Sequence, residues 1–164
     1  MYPVKLGYTE ATKRVRSLIK NGHHAEALLT AMFTVEKTLY RTLRQLVVSA
    51  GFPSTQADVL MNKFRGIENI KQVWVCFDPK NEALSKIVSQ ADLKTVMDAQ
   101  TMRNDMVHGK VVYKLTECED KAKEVLDALN NIRQLLEDRY GFDGWSVMKR
   151  RVKNTLHADP RVKT

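Results

Sequence analysis

Arg103, Asn104 and His108 stand in the run Arg-Asn-Asp-Met-Val-His, which ends at Gly109. The run pairs a permanent cation with the one side chain whose unperturbed pKa lies near neutrality. Held close together, these two groups suit phosphodiester chemistry. An imidazole can move the proton of a 2′-hydroxyl, and a guanidinium can hold the negative charge that builds on phosphorus. Spacing sets a condition on this. Asn104 and His108 are one turn apart on the same helical face, but Arg103 and His108 lie roughly 140° apart around a straight helix. They converge only if the arginine side chain curls over or the helix loosens at Gly109. A non-chemical reading of the same residues makes Arg103 a surface ion-pair partner of Asp98 or of the Asp105 neighbourhood. It makes His108 a C-terminal helix residue favoured by the dipole.

These residues must be positioned by helices. Thr9 is a plausible N-cap, with Glu10 in the first turn. The pattern Ala11, Val15, Leu18, Ile19 then predicts a first helix stopped by Asn21-Gly22. A long second helix is predicted from His23 to Ala50. Its stripe is Leu28, Met32, Val35, Leu39, Leu43, Leu46, at spacings of three and four. His23 and His24 are adjacent and diverge by about 100°, so they do not chelate one metal easily and read as exposed helix-start residues. Ser54 is expected to cap a short helix, and Gly66 separates it from a helix through Ile67, Ile70, Val73, Trp74 and Phe77. Trp74 reads as a core residue more readily than as a base-stacking one.

From Asn81 the pattern turns helical again, with Asp92 as a possible second cap. The stripe Leu93, Val96, Ala99, Met102, Met106 carries it to Gly109. Val111-Val112-Tyr113 reads as an extended connector. Thr116 to Glu119 has the form of a capping box. It opens a last long helix with the stripe Ala122, Val125, Leu129, Ile132, Leu136, Tyr140, ended by Gly141. The expected fold class is therefore all-α, an antiparallel helical bundle over residues 1–144. A basic C-terminal extension follows at residues 145–164.

Composition is consistent with one globular domain: 164 residues, 43% hydrophobic and 28% charged, with seven Gly and four Pro. No apolar run approaches the ~18 residues of a membrane span, and no basic-then-apolar leader pattern is seen, so a cytoplasmic protein without membrane contact is expected. Cys76 and Cys118 lack CxxC spacing and read as reduced thiols. No Asp/Glu/His cluster has metal-ligand spacing, so neither a metal nor another cofactor is expected.

The net charge of +8 is unevenly spread: +5 over residues 1–48, +2 over 49–115, −4 over 116–144 and +5 over 145–164. That distribution suggests a polyanion-binding face apart from an acidic one. Lys110, Lys149, Arg150, Arg151 and Lys153 are the candidate phosphate contacts. A solubilising, mobile tail is the alternative for the last segment. Trp145 could anchor that segment to the bundle or stack a base.

The run Arg103-Asn104-Asp105-Met106-Val107-His108, with its polar Asn after the Arg, resembles the Arg-x(4–6)-His motif of HEPN domains. The order of long helices resembles that family too. The resemblance implies an all-α, homodimeric, metal-independent endoribonuclease of the kind found among toxins, abortive-infection factors and CRISPR effectors. Arg103 and His108 would be catalytic, with Asn104 orienting them. A symmetric dimer would also supply both a base and an acid, because two copies of the motif helix would bring two His and two Arg into one cleft. RNA is then the expected substrate, and an antitoxin or regulatory protein a possible partner. A catalytically silent HEPN-like RNA-binding or protein-interaction module is the alternative. Some toxins of the family carry a Tyr two residues after the His. Here that position is Lys110, and the nearest Tyr is Tyr113. Glu36 is a candidate for the family's secondary acidic residue.

Overall fold

A computed structural model describes residues 7–146. Among them the chain forms seven helices and no strand: α1 (Tyr8–Lys20), α2 (His24–Ser49), α3 (Ser54–Lys63), α4 (Ile67–Phe77), α5 (Leu84–Ile87), α6 (Gln90–Val107) and α7 (Leu115–Tyr140). No helix among the described residues is long and apolar enough to cross a membrane. Cys76 is exposed and Cys118 buried, and neither is disulfide-bonded.

The two 26-residue helices α2 and α7 carry most of the core. Every member of the α2 stripe from Leu28 to Leu46 is buried, as are Ala122, Val125, Leu129, Ile132 and Leu136 of α7. Both sequences place an apolar residue every third or fourth position, which on a 3.6-residue period makes one continuous face. Side-chain pairs fix their directions. His24, at the start of α2, reaches the carbonyl of Leu115 at the start of α7 (3.1 Å), so these two helices run the same way. Within the α6–α7 hairpin, Asn131 meets Asp92 while Cys118 meets Met106, so those two run opposite ways.

Four helix starts differ from expectation. Gly7, not Thr9, is the α1 N-cap, and Pro53, not Ser54, precedes α3. Ser89 rather than Asp92 caps α6, its Oγ accepting from the Asp92 N–H at 3.1 Å. At α7, Lys114 takes the cap position, and its N–H donates to Glu117 Oε2 (2.8 Å) instead of the Thr116–Glu119 pairing. Several oxygen-bearing side chains stand near each start, and the one used depends on where the preceding backbone turns extended. The Val111–Tyr113 segment has no regular secondary structure, as expected of a connector.

Trp74 is fully buried, and its Nε1–H donates to the Tyr140 hydroxyl at 3.1 Å. Tyr140 in turn donates to Asp78, whose carboxylate also accepts from Arg139 Nε and Nη2 (3.0 and 2.9 Å) and from the N–H groups of Lys80 and Glu82. This knot ties the loop after α4 to the end of α7. Burial pushes the Asp78 carboxyl up, but the donors from Arg139, Tyr140, Glu82 and Lys80 outweigh it and hold the group below the ordinary range.

His24 is half-buried, in contrast to the exposed helix-start residue expected. Its Nδ1 faces the Leu115 carbonyl, and its Nε2 faces the Ile19 carbonyl and the Glu119 carboxylate. The contact comes from a helix 91 positions away, which periodicity within α2 does not reveal.

Candidate active site

Helix α6 presents the motif at its last turn. Leu93, Val96 and Ala99 anchor it to the core, and Met102 and Met106 continue that face half-buried. The helix then stops hard. His108 is the C-cap (φ −92°, ψ 2°), and its N–H still reaches the Asn104 carbonyl at 3.0 Å. Gly109 follows in the left-handed region (φ +64°). Its N–H bonds the Met106 carbonyl, and the Lys110 N–H bonds that of Asp105. These two bonds are the Schellman pair, and glycine supplies the left-handed residue without a Cβ penalty. The loosening that could bring the motif's ends together therefore occurs at His108 itself.

Arg103 is half-buried, and its Nη1–H donates to Asn104 Oδ1 at 2.9 Å. Its guanidinium lies 5.4 Å from the centre of the Phe33 ring on α2, within cation–π range. The guanidinium has five N–H donors, and among the described residues only the bond to Asn104 uses one. The alternative ion pair with Asp98 or Asp105 is not formed. Asp105 instead accepts from the Tyr113 hydroxyl at 2.9 Å, and that bond, with some burial, raises the tyrosine's pKa. The His108 side chain is exposed and makes no hydrogen bond among the described residues. Arg103 and Asn104 are thus brought together by their side chains, while His108 joins them through the backbone and faces solvent.

Lys110 is exposed just past the helix end. Lys149, Arg150, Arg151 and Lys153 lie outside the described residues. Trp145 is held against α2. Its Nε1–H donates to Thr38 Oγ1 at 2.7 Å, and Lys37 and Arg41 lie 5.0 and 5.6 Å from its ring centre. Asp143 braces the same turn through Arg133 and the N–H groups of Trp145 and Ser146. Of the two roles open to Trp145, the contacts describe an anchor.

Phe33 escaped the reading of the sequence. It follows Met32 of the buried stripe and so points about 100° away from it, and it is 57% exposed. An aromatic on the polar face of an amphipathic helix was the available signal. Glu36, one turn on, is half-buried and lines the same groove as Phe33. Compared with protein-family models, curated proteins and solved structures, the chain matches none of them.

Proposed function

We propose that this chain is a metal-independent endoribonuclease of HEPN type, acting at a composite site in a homodimer. The observation that carries the reading is the arrangement at the end of α6. A guanidinium braced by Asn104 and Phe33, using one of its five donors among the described residues, shares the last turns of α6 with an exposed imidazole five positions on. In this reading His108 moves the 2′-hydroxyl proton, Arg103 stabilises the charge on phosphorus, and Asn104 fixes the guanidinium. Lys110 and the basic residues 149–153 hold phosphates without reading sequence. Attack by the internal 2′-hydroxyl breaks the P–O5′ bond, leaving a 2′,3′-cyclic phosphate and a 5′-hydroxyl that takes up a proton.

One imidazole per chain supplies either the base or the acid, so a second copy completes the pair. The surface beside His108 supports that pairing. Val107, Val111, Val112 and Leu115 are large apolar side chains left exposed around it, Val112 at 98%. Four exposed large apolar side chains within nine positions of the chain are the kind of surface that a second copy could cover. A toxin or antiphage role, held in check by a partner protein, fits this chemistry. The test is RNA cleavage by the full chain in excess EDTA, with His108→Ala as control. Cleavage lost in the variant supports the enzyme. RNA binding without cleavage by the wild type points to the silent module instead.

A further inference from the structure

A groove of about 490 Å³ lies between α2 and α3, lined by Phe33, Glu36, Lys37, Tyr40, Asn62 and Arg65. That volume is in the range of sites that take small ligands. Two observations select its occupant. The first is the exposed Phe33 ring, with the Arg103 guanidinium against it. The second is charge. Lys37 lines the groove and Arg41 stands one turn further along α2, outside the lining; both lie over the Trp145 ring, and neither has a carboxylate in ion-pair range among the described residues. Burial and the Arg41 charge together lower the pKa of Lys37, as expected where cations crowd without a counter-charge. Arg65, on the α3 side of the groove, donates to Asn62 Oδ1 at 3.1 Å. Glu36 is the one carboxylate among the lining residues.

We propose that this groove is the subsite for an unpaired nucleobase next to the scissile phosphate, with Phe33 as the stacking surface. The inference rests on the reading of Arg103 and His108 as a phosphodiester site and deepens it. An aromatic face flanked by cations is the arrangement that binds single strands. The base stacks whatever its identity, and the cations follow the backbone. A base on Phe33 carries its phosphate to the arginine already in contact with that ring. Lys37, Arg41 and Arg65 take the neighbouring phosphates, and Glu36 can accept from an exocyclic amine. A second copy of the chain suits the groove less well, because across a two-fold axis the cationic strip would meet its own like charge.

The test uses a short 2′-O-methylated single strand, which cannot be cut, carrying one 2-aminopurine. Binding is read by anisotropy and stacking by quenching. Phe33→Ala should weaken binding about 5- to 100-fold and remove the quenching. Phe33→Trp should keep both, and Phe33→Leu should behave as Ala. The exposed position predicts that all three fold, which circular dichroism checks. Equal binding by wild type and Phe33→Ala, with RNA still cut, overturns this inference alone. Full retention by Phe33→Leu overturns stacking as the cause. A change in oligomeric state in Phe33→Ala, seen by light scattering, reassigns the face to a second copy. Phe33-dependent competition by an oligo-glutamate peptide reassigns it to an acidic protein. Failure of the wild type to bind any single strand overturns both this inference and the nuclease reading.

Discussion

Replacing Arg103 separates a catalytic role from a structural one, because its contacts set how much stability it can contribute. Arg103→Ala removes a partly exposed cation–π contact with Phe33, a loss of about 0.5–1 kcal/mol. It also removes one half-buried hydrogen bond to Asn104, a loss of about 0.5–1.5 kcal/mol. The total, about 1–2.5 kcal/mol, corresponds to a fall in Tm of roughly 2–10 °C for a chain of this size. The chemical loss should be much larger in proportion. A donor aimed at developing negative charge contributes about 10²–10³ in rate. Arg103→Lys keeps the charge but not the planar fork that reaches Asn104 and phosphate together, so it should fall between wild type and Ala. The assay is single-turnover cleavage of a labelled RNA under saturating enzyme, alongside thermal melts of each variant. A folded Arg103→Ala that cuts at the wild-type rate would refute the assignment. Global unfolding of the variant would show that the contacts had been undervalued.

The Asp78 knot should respond to pH with a definite sign. Its donors hold the folded-state pKa below the unfolded value of about 3.9. Its contribution is therefore present above that value and lost as pH falls through the folded-state pKa. Urea midpoints of the wild type should accordingly drop more steeply below about pH 4 than those of Asp78→Asn. At pH 7, Asp78→Ala should cost about 1–3 kcal/mol, because the Tyr140 hydroxyl and two backbone N–H groups lose their acceptor while Arg139 keeps Glu82 at 2.7 Å, and a loss under about 0.5 kcal/mol would contradict the knot. Gly144→Ala should cost about 1–3 kcal/mol in a thermal melt. Gly144 has φ +87°, and a Cβ there would lie 2.7 Å from the Thr38 carbonyl oxygen.

What was legible in the sequence follows from how local each determinant is. The α2 and α7 stripes, Gly109 and Gly141 act within one or two turns, so the long helices and their stops could be read directly. Helix starts were less legible because the cap depends on the backbone just before it. Ser89 rather than Asp92 caps α6 although both carry suitable oxygens. Contacts made in three dimensions were not legible. Asp78 meets Arg139 across 61 positions, and His24 meets Leu115 across 91. The motif lies between these cases. Its residue types suggested the chemistry, and Asn104 stood one residue from the guanidinium it braces. The aromatic support came from another helix, at a position where the buried stripe has no member.

The claim that Arg103 and His108 form a metal-free phosphodiester site is tested most directly by the ends of the RNA products. The full chain is incubated with a defined single-stranded RNA in excess EDTA, and the fragments are weighed by mass spectrometry. Wild-type protein should leave 2′,3′-cyclic phosphate and 5′-hydroxyl ends, and His108→Ala should leave the RNA whole. Cleavage that requires added magnesium, ends with a 5′-phosphate, or identical products from the folded His108→Ala variant would contradict the account.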